Sequence, residues 1–258
     1  MPHPWTTFGV NGQDADSVNS LTAVLVERGL AMFDGVASKE DLLRLARSIA
    51  TIVPHRDSDS TGITAIADVG SQVRSGFAGF TTSALNPHTD RSGIDRPPAL
   101  LLMSCQQPAT RGGECVVIDG KSVYDDLAST NPEAIKALSA PRSVLFGGAA
   151  GHLGSIFTRV GDRVSVRLRL DDLAKFSSEV ARWIPDLRAT LGRHIHILRL
   201  NAGQGYILDN HRWLHGRRTF SGQRVMYRVN GDPLDSLGVK SGFRASFIPV
   251  LSEETSGV

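Results

Sequence analysis

Cysteine is scarce. Cys105 and Cys115 are the only two in 258 residues. That is too few for a disulfide framework, and their spacing is not that of a zinc finger. A reducing cytoplasm is the expected compartment. No apolar run approaches the length that spans a bilayer. The opening stretch MPHPWTTFGVNG lacks a basic segment followed by an apolar one, so no secretory signal is expected. Charge excess is also missing. Lys and Arg number 28 against 26 Asp and Glu, a net +2, so neither nucleic acid nor a membrane is expected as a partner. Repeats, low-complexity tracts and dividing linkers are absent, and residues 1–258 are read as one domain. Nothing in the sequence bears on oligomeric state.

What is present suits a sizeable core: 41% of the residues are hydrophobic. DSVNSLTAVLVERG and SKEDLLRLARSIATIV carry helical apolar stripes, the second opened by Ser38 as N-cap. KSVYDDLASTNPEAIKALSA reads as two short helices. DDLAKFSSEVARWIPDLRATLGR reads as helix interrupted near Pro185. LAMFDGV, PALLLMSCQQP, GGECVVIDG, DRVSVRLRL, HIHILRL, GYILDN and RVMYRVN read as strands. Residues 54–84, rich in Ser, Thr, Gly and Asp, read as loops with short strands. The expected class is α+β, mainly β, with helices framing a β-rich core.

The stretch NPHTDRSG places His88 one spacer before Asp90. In extended chain such a pair faces one side and aims a nitrogen and an oxygen at one point. One further histidine makes two imidazoles and a carboxylate, the facial set of non-haem iron. His215, in YILDNHRWLHGRRTF after a strand and before Gly216, is the candidate. His211 lies four residues earlier, but HRWLH lacks the glutamate of the zinc-protease helix. His152, His194 and His196 are read as hydrogen-bonded structural histidines. After His215, RVMYRVN as a strand puts Arg224, Met226, Arg228 and Asn230 on one face. Paired guanidiniums there suit carboxylates. A solvent-exposed arginine face is the competing reading.

Together HTD at 88–90, GGEC at 112–115 and LDNHRWLHGRRTF at 208–220 with its following arginines resemble the TauD/TfdA superfamily, the clavaminate synthase-like iron(II)/2-oxoglutarate dioxygenases. The resemblance implies a double-stranded β-helix, or jelly roll. It implies iron(II) held by His88, Asp90 and His215, and 2-oxoglutarate as cosubstrate. Its distal carboxylate falls to Arg224 and an acidic group of the substrate to Arg228. Those two roles are exchangeable at this short spacing. Where relatives commonly carry threonine after GGE, this chain has Cys115, a weaker donor. Either Arg224 carries more of the cosubstrate binding or another hydroxyl substitutes. The retained Asp90 points to hydroxylation rather than halogenation; desaturation and ring formation stay open.

The expected reaction is hydroxylation by O2 of an unactivated C–H in a free amino acid or small amino-acid-derived carboxylate, within specialised metabolism. A sulfonate or other small anion, or a cupin-like metal enzyme without 2-oxoglutarate, are the alternatives. Asn230 is a further candidate for the substrate's carboxylate or amine. The loop 71–85 is expected to cover the substrate, with Phe77 and Phe80 lining the pocket. Arg74 and Asp95 are candidate partners for charged substrate ends.

Overall fold

The computed structural model describes residues 7–9, 15–70 and 76–246. Two sheets face each other across an apolar interior. The larger has seven strands. Thr7–Gly9, Leu30–Asp34, Gly205–Asp209, Leu100–Gln107, Val225–Pro233 and Ala50–Ile52 follow in order, with Ile63–Ala67 also pairing Val225–Pro233. The smaller has four strands, His196–Leu198, Cys115–Asp119, Trp213–Arg217 and Leu85–His88. Strands distant in sequence lie side by side, so neither sheet belongs to one part of the chain.

Period-two alternation assigns each strand an inner and an outer face. Leu101, Met103, Cys105, Tyr206, Leu208 and Met226 of the large sheet meet Cys115, Val117 and Trp213 of the small one. Outward from the large sheet, Leu100, Leu102, Ile207 and Val229 pack against helices α1 (Ala15–Arg28) and α2 (Lys39–Ile49). Outward from the small sheet, Val116, Ile118 and Leu214 pack against α3 (Gly120–Thr130) and α4 (Pro132–Leu138). Burying each Leu, Ile or Val this way contributes roughly 1.5–3 kcal/mol. This is the jelly roll framed by helices that the resemblance implied.

Helix α1 stops where Gly29 takes φ 68, with its N–H on Leu25 O at 2.7 Å. A side chain there is doubly unwelcome, since a Cβ would lie 2.9 Å from Arg212 Cδ. Three strand and helix expectations shift. Helix α2 ends at Ile49, and Ala50–Ile52 leaves as a strand beside Val225–Pro233. Sheet pairing there overrides the helical stripe. The strand in DRVSVRLRL covers only Arg163–Val166. Beyond it, Leu168 exchanges hydrogen bonds with Thr89 and the chain turns into the site. Pro185 does not interrupt a helix. It sits in the first turn of α6 (Ile184–Arg193), after the strand Ala174–Phe176 and the one-turn helix α5 (Ser178–Ala181).

Candidate active site

Leu85–His88 and Trp213–Arg217 run antiparallel, with His215 directly opposite His88. Their imidazole centroids are 4.3 Å apart. The strands approach closely because Gly216 lies between His215 and Arg217; a Cβ there would meet Leu85 O at 2.6 Å. His88 Nδ1 is 2.9 Å from Asn86 O, so that nitrogen is the donor and Nε2 keeps its lone pair. His215 is buried, and its Nδ1 has no partner. Burial lowers the pKa of both rings. For His215 the neighbouring His88 and the Arg228 charge lower it further. Both imidazoles are therefore held neutral, the form that binds a metal.

Asp90 follows His88 with one residue between, and that residue is tied off. Thr89 Oγ1 accepts from Leu168 N at 3.1 Å, and Thr89 N donates to Leu168 O at 2.8 Å. Asn210 splints the Asp90 backbone. Asp90 N donates to its Oδ1 at 2.7 Å, and its Nδ2 donates to Asp90 O at 3.0 Å and Pro98 O at 2.9 Å. The carboxylate is 5% exposed. Its Oδ1 accepts from Arg91 N at 3.1 Å and Arg228 Nη1 at 3.3 Å; its Oδ2 accepts from Asn230 Nδ2 at 2.9 Å. Burial alone would raise its pKa. Arg228 first, then His215, His88 and Asn230, hold it below the usual carboxylate range. Among the described residues no three His, Cys, Asp or Glu donors are gathered tightly enough to hold one ion. His88, Asp90 and His215 share one wall, with the carboxylate engaged by neighbours.

They border a cavity of about 380 Å³. Arg224 and Arg228 border it as well. The strand Val225–Pro233 places Met226 toward the sheet interior, and Arg228 and Asn230 follow on that face. A bulge between Val225 and Met226 shifts the register just after Arg224. Arg224 is only 6% exposed. Its Nη2 is 3.6 Å from Cys115 Sγ and its guanidinium 5.7 Å from the Phe220 ring centre. No carboxylate of the described residues lies within ion-pair distance of it. Burial raises the Cys115 pKa, so the group beside Arg224 is a thiol rather than a counter-ion. Tyr206, also on the cavity wall, packs in the same cluster as Cys115 and carries a hydroxyl on that side of the cavity. Nothing in GYILDN marked it, since a tyrosine in a strand ordinarily signals packing.

Other expected site residues are placed differently. Phe80 lines the cavity. Phe77 lies outside it, 38% exposed, with the Arg56 guanidinium 5.0 Å from its ring centre. Asn230 does not line the cavity; it is 1% exposed, its Nδ2 donates to Asp90, and its Oδ1 has no partner among the described residues. Asp95 points away, its side chain 82% exposed and 3.3 Å from His152. Arg167 explains that turn: it binds the Ser92, Ile94 and Asp95 carbonyls, which fixes the segment by its backbone. Arg74 and the start of the loop 71–85 lie outside the described residues. From Gly76 to Leu85 the loop forms one wall of the cavity. His194 binds Asp126 at 2.8 Å and His211 binds Pro97 O at 3.2 Å, and neither lines the cavity.

Arg217, Arg169 and His55 also border the cavity. Arg217 shares the inward face with His215. Arg169 and Asp171 form a two-pronged ion pair, 2.7 and 2.5 Å. His55 Nδ1 accepts from Asp57 N at 3.1 Å, which leaves Nε2 as the protonated nitrogen. Burial, then the Arg228 charge, pull its pKa from 6.5 to about 4. A histidine depressed in the fold contributes stability that is present above its unfolded value and lost as pH falls through the folded one. Through His55 the protein is expected to lose up to about 3 kcal/mol across that window. In urea unfolding at neutral and mildly acid pH, His55→Gln should flatten the acid loss. An unchanged acid slope would remove His55 from that account.

Comparison with known proteins follows the same lines. A human protein, gamma-butyrobetaine dioxygenase, is 25% identical over 172 residues, which is 59% of this chain and 44% of that protein. The chain thus spans less than half the length of this relative. The gamma-butyrobetaine dioxygenase of Pongo abelii matches to the same extent. Among solved structures, asparagine oxygenase with Fe(II), 2S,3S-3-hydroxyasparagine and succinate superposes with TM-score 0.65 at 14% identity, covering 84% of this chain and 79% of that one. The non-heme iron oxygenase OrfP, with Fe, succinate and (3S)-hydroxy-L-Arg, superposes with TM-score 0.64 at 15% identity, covering 88% and 94%. These likenesses show the fold. The model of the taurine catabolism dioxygenase TauD, TfdA family matches residues 4–230, from before the first strand to Asn230, and the chain belongs to that family.

Proposed function

We propose that this protein is an iron(II)- and 2-oxoglutarate-dependent hydroxylase of an unactivated C–H in a free amino acid or small amino-acid-derived carboxylate. One observation carries the reading. A buried guanidinium with no carboxylate partner among the described residues, Arg224, borders the same cavity as two facing neutral imidazoles. A buried charge without a counter-ion is costly unless a ligand brings one.

The donor set fits iron(II) in kind: two neutral nitrogens, one of them orphaned at His215 Nδ1, and an ionised carboxylate. Bound iron and 2-oxoglutarate supply the oxidising power that turns O2 on a C–H bond, with succinate and carbon dioxide as coproducts. The chain's residues do the rest. His88, His215 and Asp90 hold the metal. Arg224 neutralises the distal carboxylate of 2-oxoglutarate, and Tyr206 offers it a hydroxyl. Arg228 faces the anionic end of the substrate. Phe80 and the wall from Gly76 to Leu85 keep water from the reacting carbon.

The structural relatives were solved with hydroxylated asparagine and arginine, which supports an amino-acid-sized substrate. The acids on this cavity are already paired: Asp171 with Arg169, Asp57 with Arg56. Asp95 faces solvent. A substrate with a neutral or acidic side chain therefore suits the cavity better than a basic one.

The test is anaerobic. Iron(II) and then 2-oxoglutarate are added to metal-free protein, and the visible spectrum is recorded. A weak metal-to-ligand charge-transfer band should appear, and His215→Ala should abolish it. Oxygen is then admitted with a panel of L-amino acids, their N-methylated derivatives and taurine, and succinate and substrate mass are followed. Metal binding with no band at saturating 2-oxoglutarate would sink the dioxygenase reading and bring the cupin-like one forward.

A further inference from the structure

We propose that Arg228 is a latch on the metal site: it competes with a metal ion for the Asp90 carboxylate. The inference rests on the reading of His88, Asp90 and His215 as metal ligands. It concerns a role for Arg228 other than gripping substrate.

The Asp90 oxygens are occupied. Oδ1 faces both Arg91 N and Arg228 Nη1, and Oδ2 faces Asn230 Nδ2. A carboxylate offers about four lone-pair positions, and three are taken.

The two side-chain partners of Asp90 differ in kind. Asn230 is neutral, 1% exposed and at 2.9 Å, a short bond inside the sheet. It holds one oxygen and leaves room for a cation at the other. Arg228 carries a positive charge at the place where a second cation must arrive. It is also poorly seated. Nη1 reaches Asp90 at 3.3 Å and Nη2 reaches Thr64 Oγ1 at 3.5 Å, both at the long end of hydrogen bonding. Its Nε is buried with no partner. A guanidinium with five N–H donors that makes two long contacts is ready to exchange them for a better anion. Arg228 borders the cavity, where such an anion would enter.

An anionic ligand that takes Arg228 therefore frees Asp90, and metal and ligand each tighten the other's binding. Asn230 positions the carboxylate throughout, and Arg228 is the exchangeable member.

Titration of metal-free protein with cobalt(II), read by calorimetry and by the cobalt visible bands, tests this without turnover. Arg228→Met should tighten cobalt roughly tenfold, the worth of one charge-assisted hydrogen bond released from the carboxylate. Asp90→Ala should weaken it by a similar factor or more, and Arg228→Met should give no tightening on that background. Damage to the fold loosens a metal site, whereas release of the carboxylate tightens it and so does removal of the Arg228 charge, which is why a charge-keeping variant stands beside the methionine one. Arg228→Lys, which keeps the charge but loses the fork, should tighten cobalt less, and it decides the matter should the methionine variant not fold. Unchanged or weaker binding in the Arg228 variants, with Asp90→Ala still weak, overturns the latch and leaves the metal-site reading standing. Unchanged binding in Asp90→Ala overturns both.

Discussion

Arg224→Met is expected to raise the dissociation constant of 2-oxoglutarate in the anaerobic iron complex by at least about a hundredfold, while the protein itself becomes no less stable. Both halves follow from the same burial. The guanidinium is 6% exposed and faces a thiol and an aromatic ring rather than a carboxylate. A bidentate carboxylate bound there gains two charge-assisted hydrogen bonds, each about 1.5–3 kcal/mol. Losing them is worth two orders of magnitude or more. Without the ligand, the same charge is buried and uncompensated. Methionine fills similar space without that cost. Thermal unfolding without ligand should therefore stay level or rise, the usual sign that a site gives up stability for binding. A large drop in melting temperature with cosubstrate affinity intact would make Arg224 a structural residue and leave 2-oxoglutarate without an anchor.

Arg217→Met should act in the opposite sense and cost about 3–5 kcal/mol of stability. Arg217 is 5% exposed and points inward from the strand that carries His215. Its Nη1 donates to Gly79 O at 2.9 Å, and its Nη2 donates to Thr81 O at 2.6 Å and Ser83 O at 2.5 Å. One side chain thus ties these three carbonyls of the cavity-wall segment to the small sheet, with a fourth, longer contact from Nη2 to Ala78 O at 3.4 Å. Burial, then the nearby Arg224 charge, push its pKa down to about 10, so it keeps its proton at neutral pH. Methionine leaves those carbonyls without a donor, and each buried orphan costs roughly 1–3 kcal/mol. Lysine has neither the fork nor the reach to restore all three. Urea unfolding gives the total, and amide hydrogen exchange across residues 78–83 shows where protection is lost. A change under about 1 kcal/mol with protection intact would show that the segment is held by its own packing.

The two arginines lie in one short stretch and were not equally legible. Arg224 stood out because a strand beyond His215 presented cations on one face. Arg217, inside GRRTF, looked like an ordinary basic residue, because its partners are backbone carbonyls more than a hundred positions earlier. The same asymmetry holds elsewhere. His88, Asp90 and His215 were readable from local spacing and strand context, and register set the two histidines opposite each other. Tyr206, His55 and the Arg169–Asp171 pair were not, since each comes to the cavity from a separate part of the chain. Asp95 and Phe77 misled for a related reason. Both are close in sequence to the site, but backbone bonds to Arg167 and stacking on Arg56 turn them outward.

By itself the sequence determined the alternating strands, the helical stripes with the stop at Gly29, and the kinds of donor available, because these depend on neighbours a few residues apart. Tertiary structure alone decided which donors meet. It made Ala50–Ile52 a strand, buried Arg224 away from every described carboxylate, set the Asn230 amide nitrogen on Asp90 and placed Arg228 against the same carboxylate. Those outcomes turn on which strands pair across long stretches of chain, and on the cost of burying charge once they have paired.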